Sequence, residues 1–285
     1  MNLHHFRRHP AALIVMLVDM ELLAIAGTPV VAEAYGDGSP AVIVHGVQSV
    51  AAHWAPIAEA LPGRTIVPNR RGRSLSGPHG DGYTLATEVA DLHAALDQAG
   101  PGTLLIGHSY GGLVALLTAA ERSDLAGLVL YEPVFPLPGL TGLEGAKAVA
   151  DRYRDGDLDG ALVALQQELL GEQPEHIELF RKVDPRGWQV QLDMLEATLT
   201  EFRALGQIEV DTDSLSKITA PTTVLLGALS QDRPVIFGPA AETLVEHIPG
   251  AKLELLEGQG HIAHLLNPQL VLDAILAADR VPASE

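Results

Sequence analysis

Short apolar runs alternate along this chain with stretches of helical periodicity. Ala41 to Val44, Arg64 to Val67, Thr103 to Ile106, Leu125 to Tyr131, Thr222 to Leu226 and Lys252 to Leu256 are too short for stable helices and are bounded by Gly, Pro or Asn. They predict strands. Between them, Leu85 to Ala99 places Leu85, Val89, Leu92 and Leu96 on one helical face, and Pro268 to Ala278 predicts a last helix. Near the start, Glu21 to Ala26 and Val30 to Ala34 flank Gly27-Thr28-Pro29, the pattern of a hairpin. Strand and helix in alternation predict an α/β fold with a doubly wound, mostly parallel sheet.

From Pro136 to about Lys217 the period turns purely helical. Asp157 starts a helix closed by Gly171, and another runs near Trp188 to Leu205. This block reads as an insertion at residues 136–217, with the core formed by residues 20–135 and 218–285. Residues 1–19 are expected to form an extension outside the fold. Arg7-Arg8 and the apolar Ala11 to Val18, with Ala24-Ile25-Ala26 as a cleavage site, superficially match a secretory leader. Asp19 and Glu21 interrupt that run, and the hairpin claims the same residues, so a cytoplasmic protein is the expectation. No run reaches membrane-spanning length.

Composition narrows the partners. The chain has 285 residues, 47% of them hydrophobic and 19% charged, enough to bury one large core. Its formal net charge of -18 argues against nucleic acid or an anionic membrane and leaves a small molecule as the expected partner. With no cysteine there is neither a disulfide framework nor thiol chemistry. Aromatic residues are only 4%, too few to suggest a stacking platform for sugars or bases.

The chemistry gathers at strand ends. Gly107-His108-Ser109-Tyr110-Gly111 joins the strand at Thr103 to the small-residue run from Gly112 to Leu117. A G-x-S-x-G between strand and helix forces the serine into a strained turn that exposes its Oγ, so Ser109 is the candidate nucleophile. Gly258-Gln259-Gly260-His261 follows the last strand and can deliver His261 to the serine as general base, with His264 as rival. His45-Gly46-Val47-Gln48 follows another strand, and the N–H groups of Val47 and Tyr110 form a candidate oxyanion hole. His45 itself reads as a structural hydrogen-bonder, and His4, His5 and His9 as exposed side chains.

Together these residues resemble the α/β-hydrolase superfamily. The landmarks are His45-Gly46 with Trp54 downstream, Arg70-Arg71-Gly72-Arg73-Ser74, Gly107 to Gly112, and Gly258 to His261. The resemblance spans about Met20 to Ala278. It implies an eight-stranded core, a helical cap at Pro136 to Lys217, and a mechanism with no metal and no organic cofactor. Arg70, Arg71 and Arg73 could greet an anionic substrate, although in similar proteins this segment mainly shapes the loop near the oxyanion hole. The apolar side chains of the insertion, Leu165, Leu169, Leu170 and Trp188 among them, could line a pocket, although their helical spacing favours the cap's own core.

The chain departs from the commonest pattern at its acid. The usual slot after the strand at Thr222 holds Ser230, which cannot serve; Asp232 lies two residues on. The alternative is Glu132, at the end of Leu128 to Tyr131, where some branches of the family place the carboxylate. Glu132 is the favoured acid and Asp232 the alternative. Family members that open epoxides or displace halide use a carboxylate nucleophile. A serine at 109 implies acyl transfer instead, on an ester, thioester or lactone. A lyase or cyclase on the same scaffold, or a binding protein with an unused triad, are the other readings.

Overall fold

A computed structural model describes residues 20–137, 143, 145–209, 211–231 and 237–279. Asp232, the alternative acid, and the extension at residues 1–19 lie outside the described residues. In chain order the elements are β1 (Met20–Ala24), β2 (Val31–Tyr35), β3 (Pro40–Val44), α1 (Ala55–Ala58), β4 (Arg64–Asn69), α2 (Leu85–Ala99), β5 (Thr103–His108), α3 (Tyr110–Ala119) and β6 (Leu125–Tyr131). Five helices follow: α4 (Ala146–Arg154), α5 (Leu158–Ala164), α6 (Pro174–Val183), α7 (Pro185–Asp193) and α8 (Leu195–Leu205). The chain then returns through β7 (Thr222–Gly227), α9 (Phe237–His247), β8 (Lys252–Leu256), α10 (Ala263–Leu266) and α11 (Pro268–Asp279).

The strands form one eight-stranded sheet in the order β1-β2-β4-β3-β5-β6-β7-β8. β1 pairs antiparallel with β2 and β2 antiparallel with β4, while every other pair is parallel. Period-2 alternation decides which face each side chain serves. Leu105, Leu128, Leu130, Val224 and Leu226 pack against α2, α3 and α9. Leu104, Ile106, Val129, Tyr131 and Leu225 point the other way, onto Trp54, Ile57, Val271 and Ile275. Helix α2 covers its face with Leu85, Leu92 and Leu96, starts in a capping box made by Thr84 and Thr87, and ends at Gly100.

Between β6 and β7 the helices bury a cluster of their own, including Val149, Leu162, Trp188, Leu195 and Leu199. Two details differ from the expected periodicity. The helix begun at Asp157 does not run as plain α to Gly171 but passes into a π-helical stretch at Leu165–Leu169. The helix expected from Trp188 to Leu205 is broken at Met194, whose amide donates back to the Gln191 carbonyl in a tight turn between α7 and α8. Helix α9 was not anticipated: its apolar face is only Phe237, Ala240, Ala241 and Leu244, mostly small residues.

Candidate active site

Ser109 lies between the last residue of β5 and the first of α3, at φ 55° and ψ −124°. A side chain held there stores about 1–3 kcal/mol of strain. The turn persists because its neighbours leave no alternative. The Ser109 N–H donates to the Tyr131 carbonyl (3.1 Å), and its carbonyl accepts from the Val134 N–H (3.0 Å). Gly107 is required by space: a Cβ there would stand 2.7 Å from Ala115 Cβ and 2.8 Å from the Gly111 carbonyl oxygen.

His261 follows β8 and reaches back across the sheet. Its Nε2 lies 3.1 Å from Ser109 Oγ and its Nδ1 2.7 Å from Glu132 Oε2. Glu132, immediately after β6, is fully buried at a positive φ of 41°. Its other oxygen, Oε1, accepts from the Gly227 N–H at the end of β7 (2.8 Å). The carboxylate is therefore held between a backbone donor and the imidazole. The structure brings Ser109, His261 and Glu132 together, while Ser230 is buried near the same loop.

Three side chains that sequence reasoning left unassigned hold the imidazole. Nε2 of His108 donates to the His261 carbonyl (2.9 Å), and the Tyr131 hydroxyl donates to the Gly260 carbonyl while accepting from the Ala263 N–H. Phe237 stacks on the His261 ring, 4.2 Å between centroids and 14° between planes. His108 was visible inside the G-x-S-x-G run, but nothing in the sequence pointed its ring at the far loop. His264 lies one turn past His261 in α10, buried and stacked on Trp54 at 4.6 Å, away from the serine. Burial pushes its pKa down to about 3, with neighbouring histidines adding to the effect.

The loop after β3 runs against Ser109. A Cβ on Gly46 would stand 2.8 Å from Ser109 Cβ and 3.3 Å from its Oγ, so only glycine permits the approach. His45 is a structural hydrogen-bonder: its Nε2 accepts from the Arg70 N–H and its Nδ1 donates to the Gly46 carbonyl. Burial, reinforced by Arg70 and Arg73, holds its pKa well below the usual histidine range, so the ring is neutral. The arginines do not meet an anionic substrate. Arg70 and Arg73 are buried among carboxylates, and Arg71 pairs with Asp91. Of the two readings of that segment, the geometry supports the loop-shaping one.

Over Ser109 lies a narrow chamber, partly open to solvent. Its walls are Val47, Tyr110, Val134, Leu165, Leu169, Leu170, Phe202, Leu205 and Phe237. Leu165 and Leu169 belong to the π-helical stretch, a deformation that often marks functional positions. Leu165 and Phe202 serve the cluster of the inserted helices and the chamber at once, so the core and pocket readings of these residues overlap.

The sequence model of the alpha/beta hydrolase family matches residues 41–274, and the chain belongs to that family. Its eight-stranded sheet is the fold of that family. A lipase of Mycobacterium tuberculosis, LipV, is 38% identical over 110 residues, covering 37% of this chain and 42% of the lipase. The chain thus spans less than half of that relative. The soluble epoxide hydrolase of Corynebacterium sp. is 32% identical over 271 residues, covering 85% of this chain and 90% of the relative. Among solved structures, an alpha/beta hydrolase from Sphaerobacter thermophilus superimposes with a TM-score of 0.75 at 26% identity, covering 90% of this chain and 99% of that one. Among the described residues no helix is long and apolar enough to cross a membrane.

Proposed function

We propose that the chain is a serine hydrolase that cleaves a small, uncharged carboxylic ester, or a related thioester or lactone, through an acyl-enzyme. The observation that carries this reading is the continuous chain of contacts Ser109 Oγ, His261 Nε2, His261 Nδ1, Glu132 Oε2, at 3.1 and 2.7 Å. In the first half-reaction Ser109 Oγ attacks the carbonyl carbon as His261 Nε2 takes its proton. The oxyanion is held by the N–H groups of Val47 and Tyr110, the latter at the start of α3 where helix amides are unpaired. His261 then returns the proton to the departing alcohol oxygen, leaving an ester on Ser109. Water repeats the sequence and releases the acid. Glu132 orients the imidazole and stabilises its cation. The helices between β6 and β7 act as the cap over the reacting atoms.

The chamber supports the substrate class. Apart from Ser109 Oγ and the Tyr110 hydroxyl, the lining side chains among the described residues are apolar, which fits an acyl chain. The test is covalent. A fluorophosphonate should label the wild-type chain at Ser109 and leave Ser109→Ala untouched, with nitrophenyl ester turnover showing an acyl-enzyme burst. Labelling without ester turnover would favour a lyase or cyclase on this scaffold. No labelling would favour a binding protein with an unused triad.

A further inference from the structure

Four buried charges lie beneath the loop that carries Val47: Arg70 and Arg73 after β4, Glu88 on α2, and Glu201 on α8. Arg73 grips Glu201 with both terminal nitrogens at 2.7 Å. Arg70 Nη1 donates to Glu201 (2.7 Å) and to Glu88 (3.0 Å). The rest of the Arg70 fork turns to the loop, Nε to the His45 carbonyl and Nη2 to the Gly46 carbonyl, both at 2.9 Å. Burial opposes ionisation of Glu201, but the two arginines outweigh it and hold its carboxyl below the usual range. His79 brings a third potential ligand atom within 4.8 Å of the two carboxylates. The guanidinium groups already sit on those oxygens, so the place of a cation is taken.

The consequence lies in one peptide plane. The Gly46 carbonyl and the Val47 N–H belong to the same trans peptide and point in opposite directions. A guanidinium gripping that oxygen fixes the direction of the N–H and polarises it toward an oxyanion. Arg70 also lies 4.8 Å over the ring of Tyr110, whose hydroxyl meets that of Tyr83 (3.2 Å), itself bonded to Glu88 (2.6 Å). A second tie joins the same loop to the same helix: Gln48 Nε2 donates to Thr198 Oγ1 on α8 at 3.1 Å.

We infer that Glu201 is a positioning residue for the oxyanion hole: the inserted helix α8, through Glu201 and Arg70, sets the Val47 N–H. This rests on the serine-hydrolase reading. The helix that supplies Phe202 and Leu205 to the chamber thereby also conditions the chemistry, so substrate enclosure and oxyanion stabilisation share one support.

The test is Glu201→Gln, which keeps the shape and removes the charge. Removing one oxyanion donor outright costs about 10²–10³ in kcat, so a loosened donor should cost about ten- to a hundredfold. The expected result is that loss in kcat with KM little changed. A trifluoromethyl ketone, which forms an oxyanion on Ser109, should lose affinity by the same factor, whereas the matching amide keeps its affinity. Wild-type kcat and ketone affinity in a folded variant would overturn the inference, as would equal losses for ketone and amide. If Glu201→Gln does not fold, Arg73→Met with Glu201→Gln restores charge balance, leaving Arg70 against Glu88, and the same two outcomes decide. Failure of the wild-type chain to react with a fluorophosphonate would instead count against the serine-hydrolase reading itself.

Discussion

The N–H of Gly227, the last residue of β7, donates to Oε1 of Glu132, the first residue past β6, at 2.8 Å. The carboxylate thus spans from its own strand to the end of the next, arriving where an acid carried by the β7 loop would stand. With Oε1 held there, Oε2 faces Nδ1 of His261. Glu132→Gln should lower kcat by about 10²–10⁴ with the fold intact, because the amide removes the charge opposite the imidazolium. Asp232→Asn should stay within about twofold of wild type. Steady-state kinetics on a nitrophenyl ester measures both, and a larger effect at 232 than at 132 would move the acid to the β7 loop.

The chamber predicts a dependence on acyl length. Each methylene buried against Leu165, Leu169, Leu170 and Phe202 should raise kcat/KM by about fourfold, until the space over Ser109 is filled. A nitrophenyl ester series from acetate to decanoate will show where the rise stops. Leu169→Trp should move that point to shorter chains and leave acetate unaffected. A flat series would mean that the chain does not enter the chamber.

Acid stability follows from the buried imidazoles. His264 is neutral in the fold, with its pKa near 3, and protonates near 6.5 when unfolded. Between those values the unfolded chain binds more protons, so stability falls as pH falls. His264 alone should remove about 2 kcal/mol between pH 7 and pH 5. His45 and His108, both also depressed chiefly by burial, add in the same direction. His264→Phe keeps a ring against Trp54 and removes the titration. Denaturant unfolding across pH should show a shallower slope for this variant, and its kcat should stay near wild type. An unchanged slope would mean that His264 titrates normally.

What the sequence revealed follows physical range. The strands from β3 to β8 and helix α2 were legible because period and punctuation are local, and the bounds of α2 agree to the residue. The meeting of Ser109, His261 and Glu132 was legible because each follows a strand whose carboxyl end opens on the same side of the sheet. The break at Met194 was not legible, since no proline or glycine marks it. Nor was the buried status of Arg70 and Arg73. Their partner Glu201 is more than a hundred residues away and looks like any helix-surface glutamate until α8 is docked. Phe237 escaped because its helix is built on alanines rather than a broad apolar stripe.

The position of Glu132 also divides the chain's inheritance. The proposed nucleophile and acid, Ser109 and Glu132, are borne by one uninterrupted β5-α3-β6 stretch, in contact through the Tyr131 carbonyl and the Ser109 amide. The proposed base, His261, arrives separately, after the helices between β6 and β7. A strand, a helix and the next strand therefore carry two of the three proposed catalytic residues, upstream of the helices between β6 and β7. The spacing between Ser109 and Glu132 along the chain is set before those helices begin. What β7 must supply in return is a single backbone N–H.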